Sequence, residues 1–361
     1  MSAQLPVIAV SGSSYEIGYL HGKQCKERIN DATRKFLEYM RLNANLSKEK
    51  LIELSSLYVP YAKEYAPDLV EEMKGIAAGS GLPFEEVFVW NSLSTDVMEL
   101  CAPQPPDRSG PGCTSLAVSE GLAEKENAFI AQNLDWPSNL QENAILLRIS
   151  PTNGPRSLIL SVSGRLGFAG LNDQGVALCV NKLSASDNRV GVPNQLIYRK
   201  ILQQGTMGES LGVLLYAKRA AGMNYVVMDK DGEFFDIETT ATAHDLIYGF
   251  KGFVVHSNHY VTERLKPFER LPVCFVDSFP RLNRASRLFL ERQGRITLTD
   301  IQEIFRDHAN FPNSICRHSD ERLQESARMK TIASIIVNPR AGKLWCSLGN
   351  PCESPYVEYV I

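Results

Sequence analysis

The texture of this chain changes once, at "SGPGCTSLAV" (residues 109–118), and that change limits what it can fold into. Before it, apolar residues recur at helical spacing. After it, short runs rich in β-branched and aromatic residues are bounded by turn residues. Residues 101–112, "CAPQPPDRSGPG", form a Pro/Gly/Ser linker between the two halves. Cys113 then opens the first strand-like run. Gly112 before it can hold a conformation that a residue with a Cβ resists, and it leaves its carbonyl open to close approach.

Residues 1–112 read as a mainly helical segment. Ser13 and Glu16 have capping-box spacing, and Ile17, Leu20, Ile29, Phe36 and Met40 continue an amphipathic pattern behind them. "SKEKLIELSSLYVPYAKEY" and "PDLVEEMKGIAAGSG" suit further helices, with Pro67 at a start and glycines at an end. "LPFEEVFVWNSL" is one more. From 113 to 361 come strand-like runs, helical stretches near 195–221 and 281–308, and a closing hairpin, "TIASIIVNPRAGKLWCSLGN", with Gly342 in its turn. Strands, then helices, then strands again predict an α+β layered domain rather than alternating β-α-β units.

At 361 residues and 44% apolar, the chain can bury a large core. A net charge of −3 argues against nucleic acid or an anionic membrane as partner. No apolar run is long enough to span a bilayer. "MSAQLPVIAV" lacks the basic start of a secretory signal and "YVEYVI" is not a peroxisomal tripeptide, so the expected location is cytoplasmic. The eight cysteines are scattered, without C-x-x-C spacing, and His256 and His259 in "HSNH" lack the i,i+4 spacing of a metal motif. No metal site is expected, and Cys179 in "VALCV" reads as a small buried hydrophobe.

Chemistry is concentrated at the start of the second half. If "CTSLAVS" and "AFIAQNLDW" form an antiparallel hairpin turning near residue 124, Cys113 falls opposite Asp135. A carboxylate raises a thiol's pKa and is of little use to it directly. It becomes useful if Cys113 carries a free α-amine, whose reference pKa of about 7.7–8.0 lets it take a thiol proton near neutrality. The carboxylate would then hold and stabilise that amine. This scheme requires the Gly112–Cys113 bond to be cut first.

The ordered motifs "SYEIGYLHG", "EEMKGIAAGSG", Gly112-Cys113-Thr114, Gln132-Asn133-Leu134-Asp135, "GLNDQGVALCVN", "HSNH" and "SICR" resemble the acyl-coenzyme A:6-aminopenicillanic acid acyltransferase (isopenicillin N acyltransferase) family of autoproteolytic N-terminal-nucleophile (Ntn) hydrolases. The resemblance implies a four-layer αββα sandwich made as a precursor. Residues 1–112 would be the proregion and 113–361 the catalytic core, and the cleaved N-terminal segment would remain a partner. It implies Cys113 as nucleophile with its amine as base, and Asp135 orienting that amine. Asn258 would donate its side-chain amide to the oxyanion, with the backbone N–H of Asn181 beside it. Arg317 would hold Asp135 or the substrate, and Arg328 aligns with a further arginine. The expected reaction is amide hydrolysis or acyl transfer on a small molecule through a Cys113 thioester. No resident cofactor is implied, and acyl-CoA enters only as an acyl donor. Gln132 stands where bile-salt hydrolases carry Arg, which disfavours that activity. Two alternatives need no self-cleavage: a papain-like thiol served by His256 or His259, and a binding module of the same fold that never matures.

Overall fold

The computed structural model describes residues 4–92, 112–124, 127–270, 276–292 and 294–361. All of the linker except Gly112 therefore lies outside the described residues, as do Cys101 and Cys274.

The N-terminal segment holds six helices among its described residues: α1 (Ser14–Gln24), α2 (Lys26–Ala44), α3 (Lys48–Ser56), α4 (Val59–Tyr65), α5 (Pro67–Ser80) and α6 (Phe84–Ser92). The Ser13–Glu16 capping box forms as its spacing predicts. Pro67 occupies the first turn of α5, and Gly81 ends it in the left-handed region at φ +78°. What the periodicity did not show is a strand, β1 (Val7–Gly12), ahead of α1.

The motifs "SYEIGYLHG" and "EEMKGIAAGSG" turn out to be two packed faces. Gly18 and Gly22 on α1 interleave with Gly75 and Gly79 on α5. A Cβ on Gly18 would fall on the Glu72 carbonyl, and one on Gly75 on the Tyr15 carbonyl. Because backbone rather than a flexible side chain blocks these positions, Gly75→Ala must push the helices apart. Overpacking of this kind typically costs about 1–3 kcal/mol. Urea unfolding of the full-length chain should show the loss as a lowered midpoint with unchanged slope.

Two sheets carry the rest. The larger runs β1-β4-β5-β6-β7-β8-β9-β10, with β4 (Ala144–Pro151), β5 (Ser157–Val162), β6 (Ala169–Asn172), β7 (Ala177–Lys182), β8 (Met223–Met228), β9 (Phe234–Thr239) and β10 (His244–Tyr248). In it β1 lies parallel to β4, so the N-terminal segment supplies an edge strand to the larger sheet. The smaller runs β11-β2-β3-β12-β13-β14, with β2 (Gly112–Val118), β3 (Phe129–Pro137), β11 (Phe253–His256), β12 (Met329–Asn338), β13 (Lys343–Leu348) and β14 (Val357–Val360). Gly342, at φ +62°, makes the expected β12–β13 hairpin turn.

Helices cover the outer faces. On the larger sheet lie α7 (Asn194–Ile201) and α8 (Met207–Leu215), Tyr198 of α7 packing edge-on against Tyr225 of β8. On the smaller lie α9 (Ser278–Leu290) and α10 (Leu298–Phe305). Their Ala285, Phe289, Ile301, Ile304 and Phe305 pack with Leu116, Val118, Phe129, Ala131 and Ile336. Alternate residues of β2 and β3 (Cys113, Ala117, Ile130, Leu134) join the main core between the sheets. The architecture is the expected four-layer αββα sandwich.

Candidate active site

Cys113 and Asp135 sit on adjacent central strands, but not face to face. The β2–β3 register pairs Gly112 with Asp135 and Cys113 with Leu134, one residue off the expected opposition. The register is centred half a residue before residue 124, the centre the expectation assumed. Because side chains alternate, that slip sends the two groups to opposite faces. Cys113 points between the sheets, on the side of Ser115 and Gln132. Ser115 there donates to Asn181 Oδ1 at 2.7 Å, and Gln132 clamps the Val180 peptide at both ends (2.6 and 3.0 Å). Asp135 points toward α9 and α10, on the side of Gly112 and Thr114.

At Gly112 the site is sensitive to space. A Cβ there would come within 3.3 Å of Arg317 Nη1 and Asn258 Oδ1 and 3.4 Å of Arg281 Nη2. Three polar side chains thus converge where Gly112 meets Cys113.

Asn258 is oriented by its partners. Its Oδ1 accepts from the main-chain N–H of Cys113 at 2.9 Å and from Arg281 Nη2 at 2.8 Å, while its Nδ2 donates to the Lys182 carbonyl at 3.0 Å. Guanidinium and peptide N–H only donate and a carbonyl only accepts, so the amide fits one way round. Asn258 therefore faces the nucleophile's nitrogen as an acceptor. Its Nδ2 carries two N–H groups, and the Lys182 carbonyl holds one of them.

Arg281, on α9, was missed by sequence reading. It donates to the Cys113 carbonyl (2.6 Å), Thr114 Oγ1 (3.0 Å) and Asn258 Oδ1, and pairs with Asp277 at 3.0 Å. Its only sequence signal is the i,i+4 spacing from Asp277 in a helix that carries several arginines.

Asp135 is fully buried. Its Oδ1 accepts from Thr331 Oγ1 at 2.7 Å, and that hydroxyl oxygen accepts from the Arg317 N–H at 2.9 Å. Its Oδ2 has no hydrogen-bond partner among the described residues. Burial pushes the carboxyl up to about 6, against the opposing pull of Arg281 and Arg317. Burial, and then the Asp135 charge, push the Cys113 thiol up to about 12. In the uncut chain the thiol holds its proton.

The other expected residues are placed as follows. Asn181, on β7, is buried, with its side chain shared among Ser115, Asn224 and the His256 carbonyl. Arg317 is buried beside Gly112 and donates to Asn313 Oδ1 at 3.1 Å. Arg328 is not brought to Cys113, because its guanidinium is used on the carbonyls of Leu323 (3.0 Å) and Glu321 (3.1 Å). The histidines of the papain-like alternative are engaged elsewhere, His256 with Glu238 at 3.0 Å and His259 with Ser278 Oγ at 2.7 Å. Among the described residues, metal-ligand geometry occurs at His308, Cys316, His318 and Cys352, which bracket Arg317 in sequence. No helix among them is long and apolar enough to cross a membrane.

Two facing sheets between helical layers, with a cysteine near the start of a central strand, are the arrangement of N-terminal-nucleophile hydrolases. Residues 122–353 match the family described as acyl-coenzyme A:6-aminopenicillanic acid acyl-transferase, and the chain belongs to that family. The match begins downstream of Cys113. The acyl-coenzyme A:6-aminopenicillanic-acid-acyltransferase 40 kDa form of Emericella nidulans is 24% identical over 346 residues, 95% of this chain and 92% of that protein. An uncharacterized protein of Archaeoglobus fulgidus is 22% identical over 88% of this chain and 60% of its own length. Among solved structures, a mutant conjugated bile acid hydrolase from Clostridium perfringens has a TM-score of 0.44 at 11% identity, covering 69% of this chain and 97% of its own. Penicillin V acylase from Agrobacterium tumefaciens has a TM-score of 0.44 at 14% identity, covering 65% of this chain and 83% of its own.

Proposed function

We propose that this chain cleaves itself between Gly112 and Cys113 and then hydrolyses or transfers the acyl group of a small-molecule amide through a thioester on Cys113. The observation that carries the reading is the setting of the Cys113 nitrogen. It is held by Asn258 Oδ1, and next to it, across from Gly112, lies a buried carboxylate with one oxygen unpartnered among the described residues. An unpaired buried carboxylate oxygen is costly in the uncut chain. It gains a partner if that nitrogen becomes an ammonium.

In the first reaction Cys113 Sγ adds to the Gly112 carbonyl carbon and its proton passes to the Cys113 nitrogen. The C–N bond breaks, leaving a Gly112 thioester on Sγ. Water hydrolyses it, giving a Gly112 carboxylate and a Cys113 with free amine and thiol. In the mature site the amine takes the thiol proton, Asn258 Oδ1 and Asp135 Oδ2 orient the amine, and Sγ attacks the substrate acyl carbon. Water or an amine then resolves the acyl-enzyme, and an acyl-CoA suits the donor side. Arg281 fixes Asn258 and the Cys113 carbonyl, while Arg317 and Thr331 fix Asp135. Asn181 lines the inter-sheet side near the thiol.

Residues 1–112 would stay attached after cleavage. They contribute β1 to the larger sheet, Glu72 to a buried ion pair with Arg199 (2.7 Å), and the Trp90 indole N–H to the Ser163 carbonyl (2.9 Å). Denaturing mass analysis should find chains of 112 residues and the remaining 249 in the wild type, and one chain in Cys113→Ala. The two wild-type chains should co-elute under native conditions. A wild type that stays whole while showing a Cys113-dependent amidase activity would refute the maturation step.

A further inference from the structure

We propose that His308, Cys316, His318 and Cys352 bind one zinc ion as a closed structural site. Their ligand atoms all lie within 4.8 Å of one another. Cys316 Sγ and Cys352 Sγ are 3.5 Å apart, and His308 Nε2 and His318 Nε2 3.1 Å. His318 Nε2 lies 3.8 Å from Cys316 Sγ and 3.4 Å from Cys352 Sγ. Zinc at tetrahedral angles, with Zn–S of about 2.3 Å and Zn–N of about 2.0–2.1 Å, requires edges of about 3.8 Å (S to S), 3.6 Å (S to N) and 3.3 Å (N to N). Each of these observed separations agrees to within about 0.3 Å on those bond lengths. The sulfurs are too far apart for a disulfide, whose S–S bond is about 2.05 Å. Two thiolates and two imidazoles are a soft tetrahedral set, which suits zinc and not calcium or magnesium.

The surroundings support the site. Asn350 Nδ2 donates to Cys316 Sγ at 3.4 Å, and Glu353 Oε1 lies 3.7 Å from His318 Nδ1, the second nitrogen of a ligating imidazole. A donor to the sulfur favours its thiolate form, and a carboxylate beside the far nitrogen of an imidazole orients the ring and raises its basicity. Four protein ligands leave no open position for substrate, so the role is structural. The site ties the segment carrying His308, Cys316 and His318 to the turn after β13. Asn350 Nδ2 also donates to the Arg317 carbonyl at 2.7 Å. Because Arg317 lies between two ligands in sequence, the metal fixes the backbone from which its guanidinium reaches Gly112. That consequence rests on the proposed function, whereas metal binding does not.

The test uses the full-length protein purified without chelator and under reductant. Elemental analysis should find about one zinc per chain, as a four-ligand site requires. Cobalt(II) exchanged for zinc should give the visible spectrum of a tetrahedral thiolate site, and Cys352→Ser should weaken its sulfur-to-metal charge-transfer band. Glu353→Gln, at an exposed position, should lower zinc affinity by about 10–100-fold while leaving the fold intact. A zinc-loaded and dialysed protein with no bound metal, a Cys316–Cys352 disulfide in the purified chain, or a cobalt spectrum indifferent to Cys352→Ser each overturns the site. If zinc binds but its removal leaves self-cleavage unchanged, the positioning of Arg317 is overturned alone. A chain that holds zinc and never cleaves separates failure of the proposed function from failure of the site.

Discussion

Asp135→Asn is expected to lower the rate of self-cleavage and of later turnover by about 10⁴, the loss a serine protease suffers when the carboxylate orienting its base becomes an amide. The amide offers the Cys113 amine one neutral acceptor and no charge to stabilise its protonated form. It can still accept from Thr331, so the fold should persist. Stability carries an independent signature of the same residue. Folded Asp135 keeps its proton up to about pH 6, whereas the unperturbed carboxyl loses it near 3.8. Between those values the folded chain binds more protons than the unfolded one, so stability falls as pH rises, and above about pH 6 the full penalty is present. A carboxyl held that far above its ordinary value costs the folded chain about 3 kcal/mol once it ionises. In the uncleaved Cys113→Ala background, adding Asp135→Asn should therefore shift relative stability in favour of the amide variant by about that amount between pH 4 and pH 7. Denaturant unfolding at the two pH values reads it. A difference that does not vary with pH would mean that Asp135 is not the buried titrating group. An Asp135→Asn chain that matures at the wild-type rate would remove the carboxylate from the mechanism.

Local features were readable in the sequence because their causes are local. The Ser13 cap, Pro67 at the start of α5, Gly81 at its end and Gly342 in the last hairpin each depend on a few neighbouring residues. β1 was not readable, since a short strand parallel to β4 depends on partners far along the chain. The Cys113–Asp135 register depended on where a polar turn is centred, and half a residue was enough to place the two groups on opposite faces. Asn258 could be found in "HSNH", but its direction could not. That is set by Lys182, Arg281 and the Cys113 N–H, which come from three different elements. The His308, Cys316, His318 and Cys352 quartet follows no regular ligand spacing, because its fourth member arrives from the turn after β13. Arg281 looked like one more charge on an amphipathic helix.

Arg281→Met should show how much the site depends on that last residue. Its side chain is 1% exposed and that of its partner Asp277 9%. Removing the cation leaves Asp277 uncompensated and the Cys113 carbonyl without a strong donor, a change that typically costs about 3–5 kcal/mol. It also removes one of the three contacts that orient Asn258. A flipped amide would turn an N–H toward the Cys113 N–H, and self-cleavage should slow even in the fraction that stays folded. Arg281→Lys keeps the charge but not the fork that spans Cys113, Thr114, Asn258 and Asp277, so it should recover stability better than cleavage. The double change Asp277→Leu with Arg281→Met separates the roles further. Replacing both members of a buried pair by apolar groups often restores stability, yet nothing in that pair of side chains can hold Asn258. Cleavage rate from timed mass analysis and stability from urea unfolding should therefore part company in the double variant. If they recover together, Arg281 is a structural ion-pair partner and Asn258 is held by Lys182 and Cys113 alone.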